Sequence, residues 1–226
     1  MTAFWYNLSK LLCWLFFRIG FGLKVTGQEN VPKQGACIIA ANHVSYLDPI
    51  VVGTACPRRL TFMARNTLYR QSFLRWWLNS VGAIALNRDE SDVSAVRAAV
   101  AALRGGKPVA LFPEGTRQES GRLSQAKRGV GLLAQLGQVP VVPMYIEGTY
   151  EALPRGEKKL KPAKIRVALG APIAYTNVLV PPSSASVDLP ALQRAGERAL
   201  RADQERIANQ VTASWQQLKS SLSVKA

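Results

Sequence analysis

The chain has 226 residues, 48% hydrophobic and 19% charged, a balance that excludes a disordered chain and leaves room for one domain with a substantial core. Its 29 Lys and Arg against 14 Asp and Glu give a formal net charge of +15, a field that draws nucleic acid, anionic lipid headgroups, a phosphorylated small molecule or an acidic carrier protein. Cys13, Cys37 and Cys56 show no C-x-x-C spacing and no histidine cluster, which argues against a disulfide framework and a zinc site and for free thiols in a reducing compartment.

The first segment, Phe4 to Gly20, is rich in aromatics and leucine. Its uninterrupted apolar run extends only from Leu11 to Phe17, whereas a spanning helix needs about 20 apolar residues. No cleavage site of a secretory signal follows. The segment is expected to lie in a membrane interface, with Lys10 and Arg18 meeting anionic phosphates. A helix packed on the domain's own core also fits the residues.

From residue 21 onward, short apolar runs alternate with amphipathic stretches. Strands are predicted at Cys37–Ala41, Thr61–Ala64, Ala83–Leu86, Val109–Phe112, Val139–Tyr145 and Ile165–Leu169. Helices are predicted at Pro49–Cys56, Phe73–Ser80, Val93–Arg104 and Arg128–Leu136. The alternation indicates a single α/β domain with a mostly parallel central sheet flanked by helices. Pro181-Pro182-Ser183-Ser184 breaks the pattern, and Leu189–Leu218 reads as a long C-terminal helix. The expected organisation is residues 1–20 as interfacial segment, 21–180 as the α/β domain, and 181–226 as linker and helix.

His43, the one histidine of the chain, follows the first predicted strand in Asn42-His43-Val44-Ser45-Tyr46-Leu47-Asp48-Pro49. Five residues of continuous helix turn about 500°, which would point His43 and Asp48 apart. They converge if His43 is in the loop and Asp48 stands at the helix start, where Asp followed by Pro matches an N-cap with proline at the first helical position. Two readings fit: a helix cap beside a core histidine, or an aspartate that orients a histidine base acting on an alcohol.

Gly82 to Arg88 is a strand ending in an arginine, which suits either a phosphate ligand or a solvated strand end. Phe112-Pro113-Glu114-Gly115-Thr116-Arg117 forces a sharp turn after a strand. Gly115 permits close backbone approach, and Arg117 suits bidentate phosphate binding, although a surface turn explains the residues too. Lys127 and Arg128 stand by for an acceptor phosphate or a donor's phosphopantetheine, or are surface charge. Val139-Pro140-Val141-Val142-Pro143 reads as an apolar strand at an edge or wall, lining an acyl channel or ordinary core. The basic cluster Arg155, Lys158, Lys159, Lys161 and Lys164 suits an anionic membrane or an acidic carrier protein.

Taken in order, Asn42-His43-x-Ser45-x-x-Asp48, the Gly82–Arg88 segment and an intact Phe-Pro-Glu-Gly-Thr-Arg resemble the glycerolipid acyltransferase family, the 1-acylglycerol-3-phosphate acyltransferases in particular. The resemblance covers roughly Leu23 to Ile173, with one departure: Ala85 stands where the family often has a larger apolar residue. It implies His43 as general base and Asp48 as its orienting partner. Glu114, Gly115, Thr116 and Arg117 then bind the glycerol phosphate, with Arg88 as a further phosphate contact and Lys127 beside them. It further implies an acyl thioester donor, acyl-CoA or acyl-carrier protein, with no catalytic metal or other cofactor. The acceptor is lysophosphatidate-like, with another lysolipid or glycerol 3-phosphate as alternatives, and the expected place is the cytoplasmic face of an anionic membrane, peripheral or monotopic. A hydrolase would lack its Gly-x-Ser-x-Gly elbow, and no nucleic-acid-reading motif accompanies the charge.

Overall fold

The computed structural model describes residues 3–65, 75, 84–86, 92–118, 121–154, 156–157, 159–175 and 189–224. Its elements run α1 (Ala3–Phe21), β1 (Lys24–Thr26), a 3-10 turn (Gln28–Asn30), β2 (Ile38–Ala41), α2 (Asp48–Ala55), β3 (Thr61–Arg65), β4 (Ile84–Leu86), α3 (Asp92–Arg104), β5 (Val109–Leu111), α4 (Gly129–Gly137), β6 (Val141–Glu147), α5 (Thr149–Ala152), β7 (Arg166–Leu169) and α6 (Leu189–Val224).

The strand order is β1-β7-β6-β2-β5-β3-β4. Every pairing is parallel except β6 with β7. The four residues of β2 show why it is central. Ile39 and Ala41 enter one apolar cluster and Ile38 and Ala40 the other, so the strand is buried on both faces and reads as a continuous apolar run. Phe17 and Phe21 of α1 and Val51, Val52 and Ala55 of α2 fill the first cluster, while Leu103 of α3, Leu133 of α4 and Ile207, Val211 and Trp215 of α6 fill the second. The result is three layers, helix on sheet on helix. Gly131 lets α4 and α6 meet closely, since a Cβ there would lie 2.3 Å from the Gln204 carbonyl oxygen.

The six predicted strands are all present within a few residues. β1 was not expected: it is a three-residue edge strand in which only Val25 is apolar, and it is held by parallel pairing with β7. β6 is not an edge as its prolines suggested, because it lies between β2 and β7. Pro143 is tolerated because its carbonyl points toward β7 and accepts the Gly170 amide at 2.8 Å, while ladder pairing with β7 starts only at Met144↔Leu169. Both terminal helices belong to the core. Trp215 is fully buried, and its Nε1 donates to the Ala40 carbonyl at 3.0 Å. Within α1, Tyr6, Phe17 and Phe21 are buried, yet Phe4, Trp5, Leu11, Leu12, Trp14, Leu15, Phe16 and Ile19 remain exposed. Lys10 and Arg18 are turned onto carbonyls, of Cys56 and Leu23. No helix among the described residues is long and apolar enough to cross a membrane. The predicted Phe73–Ser80 helix, apart from Arg75, and the Pro181–Ser184 linker lie outside the described residues, as do Arg155 and Lys158.

Candidate active site

The connection from β2 skips to β3, and the connection from β5 crosses to β6 on the other side of β2. The carboxyl ends of β2 and β5 therefore flank a reversal of strand order, where open α/β sheets place their sites. The β2–β5 register, Ile38↔Val109 through Ala40↔Leu111, carried beyond both strand ends brings His43 opposite Glu114.

The loop after β2 is fixed at every turn. Asn42 is buried, and its side chain donates to the Ile146 carbonyl at 3.0 Å and accepts the Ile146 amide at 2.7 Å, prolonging the ladder to β6. Ser45 gives its hydroxyl hydrogen to the Leu153 carbonyl at 2.8 Å. Asp48 was expected to cap α2 from the N-cap position. Instead Leu47 is the N-cap and Asp48 the first helical residue, with Pro49 next. The side chain reaches back, and Oδ2 accepts the Val44 and Ser45 amides at 2.7 Å each and His43 Nδ1 at 2.9 Å. Three donors on one buried oxygen fix both the loop and the imidazole. They assign the Nδ1 hydrogen to the Asp48 side and leave Nε2 without a hydrogen-bond partner among the described residues.

The loop after β5 completes the cradle. His43 donates its amide to Glu114 Oε1 at 2.8 Å and accepts the Gln118 amide on its carbonyl at 2.9 Å. The imidazole, 18% exposed, stacks on Phe112 with centroids 4.1 Å apart and planes 21° from parallel. Gly115 takes a φ of +79°, which favours glycine, and a Cβ there would meet Lys127 Nζ at 2.9 Å. Lys127 thus lies over this turn, tied by its amide to the Pro113 carbonyl at 2.9 Å. The Arg117 guanidinium lies 3.5 Å above the centroid of the Tyr46 ring, which is 58% exposed, a cation–π contact joining the two motifs.

His43, Asp48, Gly115, Thr116, Arg117 and Lys127 are therefore brought to one end of the sheet, with Gly115, Thr116 and Lys127 exposed. Arg88 lies outside the described residues. Glu114 departs from expectation. It is 2% exposed and its carboxylate faces inward onto the His43 amide, so it holds the histidine loop. Tyr46, Phe112 and Asn42 are the residues that sequence reasoning quoted without a role. The only signal available was their adjacency to the motif residues.

Burial pushes the Glu114 carboxyl up from its ordinary 4.5 to about 7, against the lowering effect of the His43 and Ser124 amides and the Gln118 side chain. A raised carboxyl favours the folded state while protonated. This contribution is complete below about pH 4.5 and is lost as the pH rises through about 7. Glu114→Gln keeps an acceptor for the His43 amide without the ionisation. Relative to the wild type, its stability is expected to improve by roughly 2 kcal/mol between pH 4.5 and 8, screening included. Urea unfolding across that range measures it, and parallel curves for the two proteins would refute it.

A buried aspartate thus holds a histidine at the switch point of the sheet, with Arg117 and Lys127 on the neighbouring loop, an arrangement that suits an enzyme. The chain belongs to the Acyltransferase family, whose family model matches residues 22–147. The 1-acyl-sn-glycerol-3-phosphate acyltransferase of Bacillus subtilis (strain 168) is 28% identical over 153 residues, covering 67% of this chain and 74% of that protein. The one from Borreliella burgdorferi is 32% identical over 144 residues, covering 62% and 56%. The chain spans about half the length of the chloroplast relative LPAT1 from Arabidopsis thaliana, at 49%. The crystal structure of the 1-acyl-sn-glycerophosphate acyltransferase PlsC from Thermotoga maritima matches with a TM-score of 0.68 and 25% identity, over 88% of this chain and 78% of that one.

Proposed function

We propose that the chain is a 1-acylglycerol-3-phosphate O-acyltransferase, moving an acyl group from acyl-CoA or acyl-carrier protein to the free hydroxyl of lysophosphatidate to give phosphatidic acid. The observation that carries this reading is the His43–Asp48 pair, in which no serine, threonine or cysteine among the described residues is hydrogen-bonded to the imidazole. Ser45, the nearest hydroxyl in the motif, is committed to the Leu153 carbonyl. The substrate must then bring the hydroxyl.

Nε2 of His43 takes the proton of the acceptor hydroxyl as its oxygen attacks the thioester carbonyl, and Asp48 stabilises the imidazolium that forms. Collapse of the tetrahedral intermediate expels the thiolate, which takes the proton from Nε2 of the His43 imidazolium and restores the neutral base. Arg117, Lys127 and Arg88 neutralise the acceptor phosphate while Gly115 and Thr116 border it, converting binding into alignment. The purified protein, offered lysophosphatidate, other lysolipids and glycerol 3-phosphate with each donor, should yield phosphatidic acid by mass spectrometry. Acylation of another acceptor in its place would overturn the reading.

The stack on Tyr46 orients Arg117 for that phosphate. Tyr46→Leu is expected to raise the acceptor KM about fivefold, matching a cation–π contact of about 1 kcal/mol. Tyr46→Phe should stay near wild type, and the donor KM should hold. Arg117→Ala should raise the acceptor KM further, and a Tyr46→Leu change in that background should add nothing.

The exposed apolar residues of α1 support attachment to a membrane surface, since so much aromatic and aliphatic surface seeks an apolar partner, and the net charge of +15 favours an anionic one; the expected face is the cytoplasmic one. Deleting α1 would uncover the core that Phe17 and Phe21 cover, so the test is substitution on the exposed face. Leu12→Ser with Trp14→Ser should release the protein from anionic liposomes in flotation while preserving turnover on detergent-dispersed acceptor. Undiminished flotation would refute the attachment.

A further inference from the structure

Two clefts meet along α1, one of them reaching Pro49 and Ile50 in the first turn of α2. That one runs between α1 and α2 and is lined by Lys10, Cys13, Pro49, Ile50, Gly53 and Phe62 among others. The second is bounded by Tyr6, Asn7, Lys10, Pro57 and Arg59. Tyr6 and Lys10 line both, so together they form an apolar slot with a basic mouth.

The mouth holds concentrated positive charge. The Lys10 ammonium is half-buried and donates to the Cys56 carbonyl, and among the described residues it has no carboxylate partner. Burial pulls its titration down from the usual lysine range, the mark of a charge kept from water without a counter-charge. The Arg59 guanidinium lies 4.9 Å from the Tyr6 ring centroid, at the same mouth. A desolvated ammonium beside a guanidinium is matched by an anion with several acceptor oxygens. The exposed Phe4, Trp5, Leu11 and Leu12 on the same helix place that mouth beside apolar surface.

We infer that this joined cleft binds an anionic phospholipid, its phosphate held by Lys10 and Arg59 and one acyl chain in the slot between α1 and α2. The site is distinct from the one that takes the acceptor, and the inference rests on the membrane reading of α1.

Flotation of the full chain with phosphatidylcholine vesicles, with and without phosphatidylglycerol, tests it. Lys10→Gln with Arg59→Gln should weaken binding to the anionic vesicles about thirtyfold, as two specific contacts of lipid and cation would. Arg97→Gln with Lys107→Gln removes the same charge elsewhere on the surface and should weaken it only a few fold. Gly53→Leu should fill the slot and weaken binding about tenfold, because a Cβ there meets the Phe62 ring at an ordinary 3.5 Å and the helix is preserved. Equal losses from both charge pairs would reduce the effect to diffuse attraction and overturn the site. A changed acyl-chain preference of Gly53→Leu on detergent-dispersed substrates would assign the slot to the substrate and overturn it as well.

A second arm is independent of vesicles. In the Arg117→Ala background, calorimetry with dihexanoyl phosphatidate should show binding that Lys10→Gln with Arg59→Gln abolishes, while inorganic phosphate binds far more weakly. Binding that survives the double substitution, or phosphate binding equally well, overturns the lipid site. Should the wild type ignore vesicles yet bind the soluble phosphatidate through Lys10 and Arg59, the site stands and the membrane reading falls.

Discussion

His43→Ala is expected to lower kcat/KM for the acceptor by at least about a hundredfold, the low end of what a positioned base contributes, in a protein that stays folded. The structure explains why folding should survive. The loop is held through the His43 backbone, by Glu114 and Gln118, and Asp48 keeps the Val44 and Ser45 amides when the ring is gone. Among the described residues, the ring contacts that disappear are the Phe112 stack and the Nδ1 bond. The pH profile adds a second readout, since the chain has no other histidine. Any limb near neutrality that persists in the His43→Ala protein belongs to Glu114, raised by burial to about 7. The double variant with Glu114→Gln should then be flat in that range. Near-normal turnover of a well-folded His43→Ala protein would refute the mechanism.

The parts of the fold legible in the sequence are those whose burial is written locally. β2, β5 and β6 are apolar runs because both their faces are covered, and α6 shows its contact stripe in Ile207, Val211 and Trp215. β1 could not be read, because its one apolar residue carries no period and its partner strand is far along the chain. The side of α1 that packs inward was likewise unreadable, since aromatics occur all round the helix and only the sheet decides which of them are covered. Among site residues, the motif spacing located His43 and Asp48 and matched them to a known family. It did not give direction. Whether Glu114 faces solvent or His43 depends on the β2–β5 register, and whether Asp48 caps its own helix or reaches back depends on where the loop amides point. Tertiary pairing sets both.

Asp48→Asn tests that reach-back most sharply. When a carboxylate uses separate oxygens for backbone and imidazole, an asparagine can turn its NH2 to the ring, enforce the wrong tautomer and cost about 10⁴ in rate, as in the serine protease example. Here a single oxygen serves all three donors. A flipped asparagine would set its NH2 against the Val44 and Ser45 amides, donor against donor, so the side chain should keep its oxygen in the place of Oδ2. The tautomer is then retained, and what disappears is the negative charge that stabilises the imidazolium. The expected loss in kcat is about a hundredfold, in the range of one charged hydrogen bond in a buried site. The NH2 would occupy the place of Oδ1, which is buried without a partner among the described residues, at a stability cost of about 1–3 kcal/mol. Asp48→Ala should be worse on both counts, because it orphans two buried amides as well as the ring. Stopped assays of kcat with urea unfolding of both variants separate the terms. A loss near 10⁴ for Asp48→Asn would mean that the amide flips and that the loop yields to it.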